Sequence, residues 1–206
     1  MTYGEARDKT LQLINQYSLG GQPIPSSYND QQDYINRIPG LLNDAMVFVA
    51  TGIRPVCEYE KLNFNYAYTV GGWYRFDLPS DFYEMDASGL LVVDGDRVYY
   101  STDYKLVSNE FMLVPFIPGE VTMVYHRMPT LLPVKPDEGM ELSCEPVVQQ
   151  ALPYYAASQL VVQDDAYAQS SLYSEWQNRI SLLKPKPHPE RGIVEDAYGM
   201  DEWGGF

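Results

Sequence analysis

The chain has 206 residues, of which 45% are hydrophobic and 20% are charged, enough to bury the core of one large or two small globular modules. It carries 14 Lys and Arg residues against 28 Asp and Glu residues, a net charge of −14, which argues against a surface that binds nucleic-acid phosphates. The sequence contains no run of about 18 apolar residues, so no membrane span is predicted. Two cysteines are too few for a disulfide framework, so we expect synthesis in a reducing cytosol.

Two helical segments are predicted near the N-terminus. Thr2 and Glu5 have the spacing of a capping box before a first helix, which we expect to end at Gly20. Apolar residues then recur at helical spacing over residues 34–49. Pro39 interrupts this second stripe and predicts either a kink or two abutting helices.

The hydrophobic period changes from 3.6 to 2 over about residues 61–128, which predicts strands. Asp94-Gly95 lies between two short strand patterns and predicts a hairpin with a type I′ turn. Pro118-Gly119 separates Phe111–Phe116 from Glu120–His126 and predicts a second hairpin.

Helical spacing resumes after the strands. A helix is predicted from Ser143, with Val147 on its buried stripe and a kink or restart at Pro153. A further stripe at helical spacing comprises Ala168, Leu172, Trp176, Ile180 and Leu183. The proline-rich run Lys184–Pro189 ends it.

This order of elements predicts an α+β fold. The N- and C-terminal helices bury their stripes by pairing as an antiparallel helical bundle, with an antiparallel β module inserted between them in sequence and an extended C-terminal tail. The predicted domains are residues 1–58 (N-terminal helices of the bundle), 59–129 (inserted β module), 130–184 (C-terminal helices of the bundle) and 185–206 (acidic and aromatic tail).

The sequence contains no motif for catalysis or cofactor binding. His126 lies in a predicted strand and His188 in the proline-rich linker, and neither is near a motif-borne nucleophile. Cys57 and Cys144 are expected to be small half-buried residues, and Asp164-Asp165 is expected to cap a helix. We therefore predict no catalytic residue, no cofactor, no metal ligand and no enzymatic activity.

Aromatic residues are concentrated within eighteen positions: Tyr59, Phe64, Tyr66, Tyr68, Trp73, Tyr74 and Phe76. They could form a carbohydrate-binding face, but aromatic side chains are also favoured in strands and at subunit contacts, and we favour that interpretation. The residues predicted to lie at a subunit or tail interface are Tyr66, Tyr68, Trp73 and Tyr74.

The C-terminal stretch from residue 190 to residue 206 contains five acidic residues and one basic residue, yet it also carries spaced apolar side chains. Such a segment is typical of one that becomes ordered on a partner. The residues predicted to bind that partner are Ile193, Val194, Tyr198, Met200, Trp203 and Phe206.

Four stretches carry a resemblance to a known family: YINRIPGLLNDAMVFVA at Tyr34–Ala50, FDLPSDFYEM at Phe76–Met85, PYYAAS at Pro153–Ser158, and Gln163–Asp165 with Ala168–Trp176. In their order and composition they resemble the head-to-tail adaptor proteins (connector or tail-tubular type) of tailed bacteriophages. The resemblance covers most of residues 30–180.

This resemblance implies a homo-oligomeric ring, usually of twelve copies, between the portal protein and the tail of a virion. The ring would form part of the DNA ejection channel, through which DNA passes without specific binding. The C-terminal segment would bind the portal, and the β module would face neighbouring copies or the tail, nozzle or neck proteins. The expected location is the head-tail junction, without membrane association, after synthesis in the cytoplasm of a host bacterium.

Two alternatives stay open. One is a carbohydrate-binding accessory module that uses the aromatic cluster, and the other is a more distal neck or head-completion protein. An acidic channel fits the adaptor, since excess acidic charge resists adhesion of DNA.

Overall fold

The computed structural model describes residues 1–14, 28–65, 67–161 and 166–183, without the side chains of residues 28–31. This part of the chain contains five helices and two antiparallel four-stranded sheets, which agrees with the α+β prediction. It divides into two units. We call residues 1–57, 80–83 and 126–183 the helical unit, and residues 58–79 and 84–125 the β unit. The antiparallel bundle and the predicted domain limits stay predictions.

The helices are α1 (Tyr3–Leu13), α2 (Tyr28–Gly52), α3 (Pro146–Gln149), α4 (Leu152–Leu160) and α5 (Ala166–Ser181). Helix α4 packs against α1, α2 and α5. The buried core around it contains apolar side chains from all of these helices, among them Ala6, Leu11, Ile38, Leu42, Met46, Leu152, Ala156, Trp176 and Ile180. No helix within the described residues is both long and apolar enough to cross a membrane.

Helix α1 begins at the predicted capping box. The Thr2 hydroxyl accepts a hydrogen bond from the Glu5 backbone N–H at 3.3 Å, and the Thr2 N–H donates to the Glu5 carboxylate at 3.0 Å. The helix ends at Leu13, with Ile14 as its C-cap, so the predicted end at Gly20 is wrong. Gly20 itself lies outside the described residues. The Ile14 N–H bonds back to the last turn, which closes the helix without a glycine.

Helix α2 runs without interruption through Pro39, so the predicted alternative of two abutting helices is wrong. Pro39 removes one backbone hydrogen bond and crowds the preceding turn, at a cost of about 3 kcal/mol or more. The core offsets this cost, because Ile38, Leu42 and Met46 are fully buried on both sides of the proline. Each such side chain stabilises the fold by about 1.5–3 kcal/mol.

The third helical stretch begins at Pro146 and not at the predicted Ser143. It breaks after one turn and resumes as α4, so Pro153 lies in the first turn of a restarted helix, one of the two predicted alternatives. This break changes the phase of the stripe. Val147, predicted to be buried, is 61% exposed, and Val148 is 1% exposed.

We expect Val148→Ala to lower the free energy of unfolding of the helical unit by about 1.5–3 kcal/mol, because it removes methyl groups from the core. Val147→Ala is the matched control and should change the stability by less than about 0.5 kcal/mol, since this side chain touches mainly water. Urea denaturation followed by circular dichroism measures both. Equal losses for the two variants would contradict the register of α3.

Eight strands form the two sheets, and most of their residues belong to the β unit. The strands are β1 (Val56–Leu62), β2 (Tyr68–Val70), β3 (Trp73–Asp77), β4 (Phe82–Asp94), β5 (Arg97–Ser101), β6 (Lys105–Val107), β7 (Phe111–Val114) and β8 (Glu120–Arg127). The first sheet has the order β1-β8-β4-β5, and the second has the order β2-β3-β7-β6.

The predicted hairpin at Asp94-Gly95 is confirmed, since β4 pairs with β5 and Asp94 lies opposite Arg97. Its turn differs from the predicted type I′, which needs positive φ at both central residues. The two central residues are Gly95 and Asp96. Gly95 has φ +59, but the φ of Asp96 is not positive, because Ser108 is the only non-glycine residue with positive φ in the described part of the chain. Glycine at the first central position fits a type II′ turn.

The predicted hairpin at Pro118-Gly119 is wrong. Strand β7 belongs to the second sheet and β8 to the first, so the chain changes sheets between them. Pro115 and Pro118 lack the N–H that a ladder requires, which prevents β7 from extending toward the turn. Gly119 has φ +95 and lies against the backbone carbonyl of Val93, where a Cβ would clash.

Candidate functional site

The second sheet presents one face to solvent, and its register defines which residues form that face. Tyr68 lies opposite Arg75, and Val70 lies opposite Trp73. Directly opposed residues of an antiparallel pair share a face, and neighbours along a strand alternate between faces. The same rule, applied to the pairs of β3 and β6 with β7, completes the set. We call it the outer face: Tyr68, Val70, Trp73, Arg75, Asp77, Lys105, Val107, Phe111 and Leu113.

The outer face is aromatic and apolar, with two cations laid over its rings. Lys105 Nζ is 4.4 Å from the centroid of the Trp73 ring, and the Arg75 guanidinium carbon is 4.0 Å from the centroid of the Phe111 ring. Each such contact is worth about 0.5–1 kcal/mol at an exposed site. Arg75 also pairs with Asp77 at 2.9 Å, and Tyr68 is 81% exposed. The two cations thus cover part of the Trp73 and Phe111 rings, and the neighbouring Tyr68 side chain is largely exposed.

The inner face of the same sheet belongs to the core of the β unit. Met112 and Val114 are fully buried there. Phe64 packs edge-on against Tyr74 at 5.0 Å and against Phe76 at 5.2 Å between ring centroids. These contacts leave Tyr74 a supporting role in packing.

The structure therefore separates the residues predicted to form an interface. Tyr68 and Trp73 lie together on the outer face, whereas Tyr74 lies on the inner face. Tyr66 lies outside the described residues. Sequence patterns missed Arg75, Lys105 and Phe111. Arg75 could have been found from the sequence, because it lies two residues after Trp73 in the same strand and so shares its face. Lys105 and Phe111 could not, because they come from other strands, and only the structure shows how those strands pair.

The aromatic cluster does not form one stacking platform for a sugar. Phe64, Tyr74 and Phe76 pack against one another, and Tyr59 belongs to β1 of the first sheet. One face of Trp73 is covered by Lys105. This geometry favours a protein contact over ring stacking on a glycan.

The remaining candidates from the sequence are the thiols of Cys57 and Cys144 and the imidazole of His126. Cys57 and Cys144 are half-buried, as predicted, and neither forms a disulfide. Burial raises the pKa of the Cys144 thiol to about 12, so this thiol stays protonated at neutral pH and is a poor nucleophile. His126 is buried within β8.

The residues predicted to bind a partner through the C-terminal segment lie outside the described residues: Ile193, Val194, Tyr198, Met200, Trp203 and Phe206. His188 and Asp164-Asp165 lie outside them as well. The described candidate site is therefore the outer face.

Comparison with known proteins gives several faint structural similarities, and two of them are with chains of gene transfer agent particles. A chain from the virion of a native gene transfer agent particle aligns with 14% identity and a TM-score of 0.29, over 85% of this chain and 91% of that chain. A chain from the neck of an empty particle of this kind aligns with 14% identity and a TM-score of 0.28, over the same shares. Similarity at this level establishes neither a shared fold nor a shared function. No protein-family model and no curated protein matches the chain.

We expect Tyr74→Ala to lower the free energy of unfolding of the β unit by about 2 kcal/mol or more, because truncating a packed aromatic ring leaves a cavity. Tyr68→Ala makes the same truncation on the outer face and should cost less than about 0.5 kcal/mol. Thermal and urea denaturation compare the two variants. A larger loss for Tyr68→Ala would reverse the assignment of the faces.

Proposed function

We propose that this protein is a structural virion protein of a phage-like particle, and specifically a head-to-tail adaptor. In this role, copies of the chain form a ring between the portal and the tail, with twelve as the expected number, and the ring forms part of the DNA ejection channel. The observation that carries the proposal is the outer face. The resemblance of residues 30–180 to adaptor proteins supports the location.

The outer face has the composition of a protein contact surface. Trp, Tyr and Arg are the side chains that dominate binding energy at interfaces, and Trp73, Tyr68 and Arg75 share this face. The cation–ring contacts fix Trp73 and Phe111 before any partner arrives, which reduces the entropy lost on binding. We assign this face to the tail, nozzle or neck protein below the ring.

The charge of the chain suits a channel. Each copy carries a net charge of −14, and a ring multiplies it. Acidic walls repel DNA phosphates, so the genome slides past without specific contacts. We assign the portal contact to the C-terminal segment, through the apolar residues Ile193, Val194, Tyr198, Met200, Trp203 and Phe206. The proposed role is assembly without catalysis.

Portal rings of the encoding phage, mixed with this protein, test the proposal. We expect the full-length chain to be retained on immobilised portals and a chain stopped after Pro189 to be lost, because the truncation removes the portal-binding residues. Chains with Tyr68→Ser and Trp73→Ser should stay on the portal but fail to capture the tail protein.

The matched control is Tyr167→Ser, which removes an exposed tyrosine of α5 and should leave both steps unchanged. Retention of the truncated chain would contradict portal binding by the C-terminal segment but would remain consistent with the adaptor role. Loss of both chains would favour the more distal neck or head-completion position. Saturable binding of a soluble glycan would favour the carbohydrate-binding alternative.

A further inference from the structure

The hairpin of β4 and β5 forms an apolar edge of the first sheet. Leu91 lies opposite Tyr100, and Val93 lies opposite Val98, so these four side chains share one face of the hairpin. Val98 is 63% exposed, and Val93 and Tyr100 are exposed as well. Strand β5 is also the last strand of the sheet, and all its residues except Ser101 are exposed. An edge strand of this kind is a template for pairing with another chain.

The opposite edge of the same sheet is β1, and its exposed residues differ in charge from those of β5. Arg97 is the single charged residue of β5. In β1, Tyr59 is 65% exposed and is followed by the exposed Glu60. Lys61, the cation of β1, already pairs with Glu120 at 2.8 Å. The two edges therefore offer an exposed cation on one side and an exposed carboxylate on the other.

The direction of the strands allows the two edges to meet. Strands of an antiparallel sheet alternate in direction, so in a sheet of four strands the first and the last run oppositely. A second copy can thus place its β1 beside β5 and continue the antiparallel ladder. One register gives the partner residues: Arg97 opposite Glu60 puts Val98 opposite Tyr59. The first pair matches in charge, and the second pair matches in apolar character.

Pairing β5 with β5 of a second copy lacks this match. Within that strand Arg97 would meet either another Arg97 or an uncharged residue, and opposed like charges destabilise a sheet pair. A contact between identical edges would also close as a dimer, whereas a contact between two different edges repeats around a ring.

We propose that β5 of one copy pairs with β1 of the next copy, with Arg97 beside Glu60, and that this contact joins neighbouring subunits. The inference rests on the proposed function in one respect, namely that the copies form a ring. The occupant of the apolar edge is a second copy of this chain.

Charge exchange tests the contact. Arg97→Glu and Glu60→Arg each place like charges opposite one another, and each variant alone should associate about tenfold more weakly than the unchanged chain. An equimolar mixture of the two variants should assemble again, because every junction of an alternating ring then joins opposite charges. The double variant Arg97→Glu/Glu60→Arg should assemble as well. Native mass spectrometry at high protein concentration, with and without portal rings, counts the copies.

Lys135→Glu is the control, since it changes an exposed charge of the helical unit by the same amount. Circular dichroism and unfolding transitions confirm that each variant folds. Full assembly of both single variants, or a mixture that stays dissociated, overturns the inference. An unchanged chain that forms no multimer under either condition overturns it as well.

The outcomes separate this contact from the proposed function. If the mixture of the two variants assembles but the chain is not retained on portals, the edge contact is supported and the adaptor role is contradicted. If the chain is retained on portals but charge exchange has no effect on assembly, the adaptor role is supported and the edge contact is contradicted.

Discussion

The pairing register of the second sheet is the constraint on which the candidate site depends. It places Trp73 and Arg75 on one face and Tyr74 and Phe76 on the other, although the four residues are consecutive. The inner pair is consumed by packing against Phe64, at ring separations of 5.0 and 5.2 Å. A shift of one residue would exchange the two sets. The register thus leaves Trp73 on the outer face, while the inner rings of Tyr74 and Phe76 pack in the core.

Sequence periodicity predicted the helical unit well where one helix covers the whole stripe. The α5 stripe is an example, since Trp176 and Ile180 are buried as predicted. It failed where a break changed the phase, as between α3 and α4, because counting from Ser143 assumed one continuous helix. At Pro39 the sequence suggested a break that the structure lacks, because burial of the neighbouring side chains outweighs the local effect of the proline and α2 stays continuous.

The strands show why local sequence signals predict the position of turns better than they predict which strands pair. Asp94-Gly95 joins strands adjacent in space, so its sequence alone identifies the hairpin. Pro118-Gly119 has the same local appearance, yet it connects two different sheets. The partner of β7 across a turn is β6, where Ser108 adopts φ +57 and no glycine marks the turn. The sequence could therefore point to Tyr68 and Trp73 as candidate contact residues. It could not indicate the cations above the rings, since their position depends on which strands pair.

The distribution of cations links the exposed surfaces of the β unit. A chain with 14 cationic and 28 acidic residues has few positive side chains to place, and the outer face holds two of them. Each of these two lies on a ring, where burial of the aliphatic stem adds packing to the charge. Arg97 stands on the apolar edge of the first sheet. On a strongly acidic surface, an exposed cation on a strand with apolar side chains favours a contact that supplies both a carboxylate and an apolar group. A second copy of so acidic a chain offers many carboxylates, whereas a DNA backbone meets repulsion from the surrounding charge.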